Sequence, residues 1–537
     1  MDELPTDFVV YLYDPTDPTG ELRLFLLREN DAFSEVGIEE LRKHSTGIVT
    51  YELSALIDGG AGPWLNNNSQ VIDIDMALTL AAEQPRREAQ GSKSFSFLEC
   101  LRSSSDPGIK PFAVYCFQGD RTESDAVILA ATKKVAINLR DVANQVFGRL
   151  RETNGLARLT EVEVPVSCVL HRRQALGLRV DGEAIRAKVS DLGEIAARAR
   201  SHLRKEFAIL DPSDRGQVAA AIQNDPHLCE IVDAEESEWS VESVLKLYAP
   251  VSPLAANLRK YRDAQRSRVI LQRFGISKSG RVHPDYRVAG TVTGRILVRN
   301  PSLQNISRSY RDVLLADEGK TLLYPDFKQC EPGILAHDSQ DQALIADYNA
   351  GDLYMALSET LFGDREHRSP SKLLFLFVCY GMASERVTKI GSSITGLPEN
   401  EVEQAISAFF GRYPGIETWR HDLIAKVSTE GRVGTPFGNF RSFPAAVSAA
   451  TALRGAQSQR IQGTAALILK QIIIEIEKRL PNVDVLLPMH DALLVQVPTW
   501  DVANLKSNID AIFCEVYRRY CPSIYPKVTF EDFHHVE

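Results

Sequence analysis

Two aspartates in apolar, strand-like runs constrain the fold of this chain more than any other feature. The run TLLYPDF contains Asp326. The run VDVLLPMHDALLVQV predicts two strands joined by a tight turn, with His490 and Asp491 at its tip. Taken alone, either aspartate could simply cap a turn. Two carboxylates that converge from separate strands can instead hold a pair of divalent cations, as phosphoryl-transfer chemistry requires. The sequence therefore predicts a fold that brings these two distant segments together.

Five motifs follow one another in a specific order along the chain. They are TVTGRILVRNPSLQNISR (291–308), YPDFKQCE (324–331), RSPSKLLFLFVCYG (368–381), RGAQSQRIQGTAA (454–466) and PMHDALLVQV (488–497). One such motif alone would be weak, but five in order make a chance match very unlikely. From about Val162 to its C-terminus the chain resembles the family A DNA polymerases, the family of bacterial DNA polymerase I. It resembles a divergent member of phage or plasmid type.

The resemblance implies a mixed α/β fold shaped like a right hand. Residues 1–160 would form an N-terminal α/β domain, and residues 161–537 the polymerase domain. Within the latter, the thumb would cover about 180–280, the palm about 285–337 and 480–537, and the fingers about 338–480. The pattern of apolar residues independently predicts helices over 126–153, 183–207 and 240–273, and a mostly helical stretch over 338–480.

The chain has a net charge of −10, and most of it comes from the N-terminal segment. Residues 1–150 carry 23 acidic and 14 basic side chains, which leaves the rest almost neutral. A near-neutral region can still bind DNA through a local basic surface, such as the run Arg259–Arg268 in the expected thumb. Its alternative interpretation is a solvated helix face. The acidic segment argues against charge-driven DNA binding there and favours a protein partner.

Targeting features and cysteines point to a cytoplasmic protein. The start MDELPTD lacks the basic region of a signal peptide, and no run of 18 apolar residues predicts a membrane span. The eight cysteines have neither CxxC nor zinc-site spacing, as expected for reduced thiols.

Nucleotide chemistry is predicted for three short segments. Asp326, Asp491 and the backbone carbonyl of Phe327 would hold two Mg²⁺ ions, for which Mn²⁺ could substitute. Arg368 and Lys372 lie four residues apart, on one face of a helix, and suit a triphosphate. By resemblance, Lys372 would also protonate the pyrophosphate. The resemblance assigns further contacts with the incoming deoxynucleotide to Gln329, Glu331, Leu376 and Tyr380.

Glu331 is the residue that separates two polymerase families. By resemblance, it would exclude the 2′-hydroxyl of a ribonucleotide. Single-subunit RNA polymerases share the two aspartates but have a small residue at this position, so Glu331 favours deoxynucleotides.

Primer–template DNA is the expected macromolecular partner. The resemblance assigns DNA contacts, largely on the minor-groove side, to Arg295, Gln304, Asn305, Arg454, Gln462 and His490. Amide and guanidinium groups there can check the shape of a base pair without reading its sequence. For His490, a hydrogen-bonded turn histidine is the alternative.

Several positions depart from the family pattern. Leu376 replaces an aromatic residue, Phe377 a glycine, and Ala492 the acid that usually follows the His-Asp pair. None of these changes removes a required carboxylate or phosphate-binding cation. We therefore expect an active enzyme, with altered tolerance of sugar analogues.

The N-terminal segment lacks the Asp-x-Glu of a 3′–5′ exonuclease. Its nearest substitute is Asp73-x-Asp75 in VIDIDMAL, without identifiable partner acids. We expect a degenerate exonuclease-like domain or an unrelated protein-binding domain, and no proofreading.

Two functions of different classes are consistent with these residues. The first is a DNA-templated DNA polymerase. The second is a non-catalytic, polymerase-like DNA-binding subunit. The retained Asp326, Asp491, Arg368, Lys372 and Glu331 favour the first.

Overall fold

The computed structural model describes most of the 537-residue chain. The described residues are 5–12, 22–37, 40–41, 47–56, 71–83, 96–119, 122–153, 155–228, 245–246, 248–379, 387–389, 391–392 and 396–534.

The N-terminal part is an α/β unit around a five-stranded sheet. The strands are β1 (Asp7–Leu12), β2 (Arg23–Leu27), β3 (Phe33–Val36), β4 (Ile48–Thr50) and β5 (Val71–Asp73). Their order is β3-β2-β1-β4-β5, with β1, β2 and β3 antiparallel and β4 and β5 added in parallel. Every residue of the central strand β1 is buried, as expected for a strand covered on both faces.

Helices cover this sheet and connect it to the rest of the chain. They are α1 (Leu53–Leu56), α2 (Ile74–Ala82), α3 (Phe97–Arg102), α4 (Lys110–Gln118) and α5 (Asp125–Glu152). Helix α5 confirms the prediction for 126–153. It buries Ile128, Val135, Leu139 and Val146 on one face, which packs against β1, β2 and β4.

The connection to the next unit is helical. It consists of α6 (Gly155–Arg158), a π-helical turn (Leu159–Glu163) and α7 (Val164–Leu176). Two short strands, β6 (Leu178–Arg179) and β7 (Arg281–Val282), then pair with each other. The segment between them contains α8 (Gly182–Phe207), α9 (Arg215–Gln223) and α10 (Pro253–Gln272). Helices α8 and α10 pack along each other. Helix α8 confirms the helix predicted over 183–207.

The prediction of one continuous helix over 240–273 was wrong at 249–252, while 240–244 and 247 lie outside the described residues. Helix α10 begins only at Pro253, after a turn at 249–251. Proline lacks a backbone N–H, so it is tolerated in the first turn but not in a helix interior. The Ser252 side chain accepts a hydrogen bond from Ala255 N and caps the new helix.

The central region is mostly helical, as predicted for 338–480. After β8 (Asp285–Arg287), β9 (Leu297–Arg299), β10 (Lys320–Leu323) and β11 (Pro325–Lys328), the helices are α11 (Cys330–Ser339), α12 (Gln342–Ala350), α13 (Leu353–Phe362), α14 (Arg368–Cys379), α15 (Glu399–Arg412), α16 (Pro414–Glu430) and α17 (Ala449–Arg479). A hairpin of β12 (Arg432–Thr435) and β13 (Gly438–Ser442) interrupts them.

A second five-stranded sheet carries the candidate site. It contains β10, β11, β14 (Asp484–Met489), β15 (Ala492–Pro498) and β16 (Lys527–Phe530), with α18 (Val502–Tyr520) between the last two. Strand β15 pairs with β14, β10 and β11, and β11 also pairs with β16, always antiparallel.

One continuous hydrophobic core extends from Phe8 in β1 to Phe533 near the C-terminus. Within it, α17 buries Ile468, Ile472 and Ile476 at helical spacing. In the described part of the chain, no helix is both long and apolar enough to cross a membrane.

Candidate active site

The two aspartates singled out by the sequence meet at the centre of the second sheet. Asp326 in β11 is the cross-strand partner of Ala492 in β15, so Asp491 lies one residue from that pair. The pKa of Asp326 is raised to about 7, first by burial and then by the charge of Asp491. Burial also raises the pKa of Asp491. The two carboxylates therefore share one partly desolvated space, as the sequence predicted.

The surroundings of this pair suit a divalent cation. Within the described ranges, neither Asp326 nor Asp491 forms an ion pair with a lysine or arginine. Two partly buried carboxylates that repel each other are stabilised by a cation between them. Their role as metal ligands stays a prediction.

Phe327 fixes the strand on which Asp326 lies. Its ring packs against Phe513 at 5.0 Å and against Tyr517 at 5.1 Å, both on α18. Successive side chains of a strand point to opposite faces. Burial of Phe327 against α18 therefore turns Asp326 to the other face.

A two-residue turn presents Asp491. Met489 pairs with Ala492, so His490 and Asp491 are the loop between β14 and β15, as predicted. His490 adopts a left-handed backbone conformation, with φ of 60°. Burial lowers its pKa, and the nearby charge of Arg295 lowers it further. His490 therefore lies beside both Asp491 and Arg295.

A cavity of about 390 Å³ opens next to Asp326. Its walls include Gln329, Arg368 and Lys372, three of the residues predicted to bind the nucleotide. The Arg368 guanidinium lies 5.5 Å from the ring centre of Tyr354, and the Lys372 ammonium 5.8 Å. The structure thus gathers the predicted phosphate-binding cations beside the carboxylates.

Asp352 organises one wall of this cavity, and the sequence analysis missed it. Its carboxylate accepts hydrogen bonds from Gln329 Nε2 at 3.0 Å and from Arg368 Nε at 2.8 Å. The same carboxylate caps α13 by accepting from Tyr354 N at 3.0 Å. An aspartate directly before a helical run is an N-cap signal, which could have identified it.

Glu331 and Arg295 form a close pair. Arg295 Nη2 donates to Glu331 Oε1 at 2.6 Å. Burial raises the pKa of Glu331, whereas Arg295 acts in the opposite direction. A predicted DNA contact therefore holds the residue predicted to select the sugar.

Gln304 and Asn305 make local contacts. Gln304 accepts from Val298 N at 3.0 Å and donates to Ile296 O at 3.0 Å and Pro488 O at 2.8 Å. It thereby ties β9 to the strand that leads to Asp491. Asn305 is exposed and donates to Ser302 Oγ at 2.8 Å.

Arg454 and Gln462 lie on one face of α17, since they are eight residues apart. Both are partly exposed. Arg454 donates to Thr451 Oγ1 at 3.1 Å, and Gln462 accepts from Ser458 Oγ at 3.1 Å. Contact of these residues with DNA stays a prediction, as it does for Arg295, Gln304, Asn305 and His490.

Two predicted nucleotide contacts cannot be placed. Tyr380 lies outside the described residues. Leu376 belongs to α14, but its side chain, like that of Phe377, lies outside the described part.

The acids Asp73 and Asp75 support the N-terminal architecture. Asp73 accepts from Leu53 N and from Asp75 N, both at 2.9 Å, and Asp75 accepts from Phe97 N at 2.7 Å. These bonds tie α1, α2 and α3 together. Among the described residues, no three His, Cys, Asp or Glu side chains are arranged to hold a metal ion.

A buried ionic triad was not predicted from the sequence. Glu163 accepts from Arg158 Nε at 2.7 Å and from Lys470 Nζ at 2.6 Å, and all three side chains are fully buried. Burial lowers the pKa of Lys470 to about 8, although Glu163 opposes this. The triad joins the helical connection after the N-terminal unit to the middle of α17.

Comparison with known proteins identifies the family. Residues 186–521 match the family model described as DNA polymerase family A. The chain is 27% identical over 396 residues to the thermostable DNA polymerase I of Thermus aquaticus, covering 68% of this chain and 47% of that protein. It is also 27% identical over 388 residues to DNA polymerase I of Pseudomonas aeruginosa, covering 65% and 41%. The chain thus spans about half the length of the curated relatives it matches.

A solved structure matches almost the whole chain. The polymerase domain of Pol1 from M. smegmatis, in complex with DNA primer-template and dNTP, superposes with a TM-score of 0.76 at 18% identity. The match covers 98% of this chain and 94% of that one, and it confirms the predicted right-hand fold with an N-terminal α/β part. On the extent of the family match and the order of its motifs, the chain belongs to the family A DNA polymerases.

Proposed function

We propose that this chain is a DNA-directed DNA polymerase that adds deoxynucleotides to the 3′-hydroxyl of a primer. The observation that carries the proposal is the convergence of Asp326 and Asp491 beside a cavity lined by Arg368 and Lys372. The solved structure that this chain resembles is a complex with DNA primer-template and dNTP. This likeness supports the same partners here.

Each part of the site has a task in this reaction. Asp326, Asp491 and the Phe327 carbonyl would hold two divalent ions, Mg²⁺ or Mn²⁺, which lower the pKa of the attacking hydroxyl and neutralise the leaving group. Arg368 and Lys372 bind the triphosphate, and Lys372 gives a proton to the departing pyrophosphate. Glu331, held by Arg295, occupies the space that a 2′-hydroxyl would need.

The architecture supports a division into thumb, palm and fingers. Helices α8 and α10 would form the thumb, with the basic run Arg259–Arg268 along the duplex phosphates. The second sheet would be the palm, and α12 to α16 would belong to the fingers. We infer that the acidic N-terminal unit is a surface for a protein partner and that it has no proofreading exonuclease activity.

Extension of a labelled primer tests the proposal. Wild type with Mg²⁺ and dNTPs is expected to extend the primer. Asp491→Asn is expected to lose extension, because asparagine has nearly the shape of aspartate but lacks the negative charge that would bind the metal ion. Asp422→Asn, an exposed position on α16, is the matched control. Tight primer–template binding without extension by wild type would support the non-catalytic alternative. Primer shortening in the absence of nucleotide, retained in Asp491→Asn, would reveal an exonuclease.

A further inference from the structure

Two lysines face each other across the strand pair that carries Asp326. In the register of β11 and β16, Asp326 pairs with Thr529 and Lys328 with Lys527. Because side chains alternate along a strand, both lysines lie on the same face as Asp326. Like charges directly opposite each other in a sheet are destabilising. Both lysines are exposed, so water screens part of this repulsion, and an anion bound between them would compensate the rest.

No carboxylate of the described residues provides that compensation. Within the part of the chain that the structure covers, Lys328, Lys527 and Lys372 form no ion pair, whereas Arg368 is neutralised by Asp352. Three unneutralised ammonium groups therefore line one cavity of about 390 Å³. The cavity lies next to Asp326, where the phosphates of a nucleotide would enter.

The sheet and helix α14 both contribute cations to the cavity. Arg368 and Lys372 belong to α14, while Lys328 and Lys527 belong to the sheet. A Cβ atom added at Gly351, directly before the capping residue of α13, would lie 3.9 Å from Lys527 Nζ. Lys527 thus reaches towards the N-terminus of α13, which the Asp352 carboxylate caps.

We propose that Lys328 and Lys527 form an additional anion subsite that binds the β- and γ-phosphates of the nucleotide and then the pyrophosphate product. This inference rests on the proposed polymerase function. Asp326, Asp352 and Glu531 also line the cavity, but Asp352 is paired with Arg368 and Glu531 with Arg308. A small polyanion fits better than a DNA backbone, because the lysines line a cavity instead of following an open groove. The consequence is a site that holds its leaving group from both the helical side and the sheet side.

Direct binding of inorganic tripolyphosphate without metal ions is the first test. Tripolyphosphate is expected to raise the melting temperature of the wild type, and this shift is expected to be clearly smaller in Lys328→Gln/Lys527→Gln, in which Arg368 and Lys372 remain. Lys506→Gln is the matched control, since Lys506 lies over the Phe530 ring on the opposite face of the same strand. Lys328→Arg/Lys527→Arg, which keeps both charges, is expected to restore the shift. A wild type that tripolyphosphate does not stabilise, or a glutamine variant that keeps the full shift, would overturn the subsite.

Steady-state primer extension is the second test. The double glutamine variant is expected to raise the KM for dNTP and the inhibition constant of pyrophosphate by roughly tenfold or more, because a single charge-assisted contact contributes about that much. A variant whose KM is unchanged, and which instead binds primer–template more weakly, would show that the lysines contact DNA. Failure of the wild type to extend any primer would refute the proposed function, while tripolyphosphate binding would still decide the subsite.

Discussion

Arg295 donates a hydrogen bond to Glu331 across 2.6 Å, and this pair joins the loop before β9 to the first turn of α11. Glu331 is partly buried, and the charge of Asp491 contributes to its raised pKa. A guanidinium thereby fixes the position of a carboxylate close to Asp491. The pair gives the proposed selection of the sugar a geometric basis.

Replacing Glu331 with alanine is expected to weaken discrimination against ribonucleotides. The space that Glu331 fills would become open, and a change of this size in a pocket corresponds to roughly tenfold or more in selectivity. The ratio of kcat/KM for dCTP and CTP measures it. Glu331→Gln keeps the volume and should retain selectivity. Equal ratios for wild type and Glu331→Ala would contradict the assigned role.

Lys372→Ala is expected to lower kcat/KM for dNTP by roughly 10²- to 10³-fold, the usual cost of losing one group that stabilises developing charge. Binding of primer–template should remain unchanged, since the ammonium lines the nucleotide cavity. Single-turnover incorporation and DNA titration separate the two effects. Lys426→Ala, an exposed position paired with Glu430 on α16, serves as the control. A loss confined to DNA binding would be incompatible with the phosphate-binding role.

The buried triad predicts an asymmetric effect on stability. Glu163→Gln leaves Arg158 and Lys470 as two buried cations and is expected to cost about 3–5 kcal/mol. Lys470→Met leaves the Arg158–Glu163 pair intact, so its cost should be clearly smaller. Urea unfolding monitored by circular dichroism gives the two midpoints. The interpretation fails if Lys470→Met is the more damaging substitution.

His171 and Asp73 line one cavity and make stability depend on pH in opposite directions. Burial lowers the pKa of His171 to about 4. As the pH falls from about 6.5 to 4, the unfolded chain binds a proton at this histidine and the native state does not, so stability is lost. Burial raises the pKa of Asp73 to about 7, so stability is lost as pH rises from about 4 to 7.

His171→Asn removes only the first of these two effects. Relative to wild type, the variant is therefore expected to gain stability as pH falls from 6.5 to 4, by at most about 3 kcal/mol. Melting temperatures of both proteins across this range measure the difference. A difference that does not change with pH would show that His171 has the same pKa in the native and unfolded states.

The sequence was informative where one segment determines its own geometry. The turn at His490 and Asp491, helix α5 and the helical region after Ser339 all follow from local patterns of apolar residues and turn residues. The convergence of Asp326 with Asp491 followed from strand signals at both positions, together with the resemblance.

Contacts between distant segments could not be predicted in the same way. Lys470 and Glu163 are separated by 307 positions, and nothing in either local pattern indicates the other. The hydrogen bond of Gln304 to Pro488 and those of Asp352 with Gln329 and Arg368 likewise depend on tertiary packing. The error over 240–273 had a local cause, because Pro253 after Ser252 marked the start of a helix.

The two-residue turn between β14 and β15 makes the length of this segment more critical than its composition. Strand β15 is fixed on both sides, by β14 and by β10 with β11. Adding or deleting one residue there would shift the ladder by one position and send Asp491 to the opposite face of the sheet. Natural variants of this chain should therefore tolerate side-chain changes next to Asp491, such as the alanine at 492, far more readily than insertions or deletions.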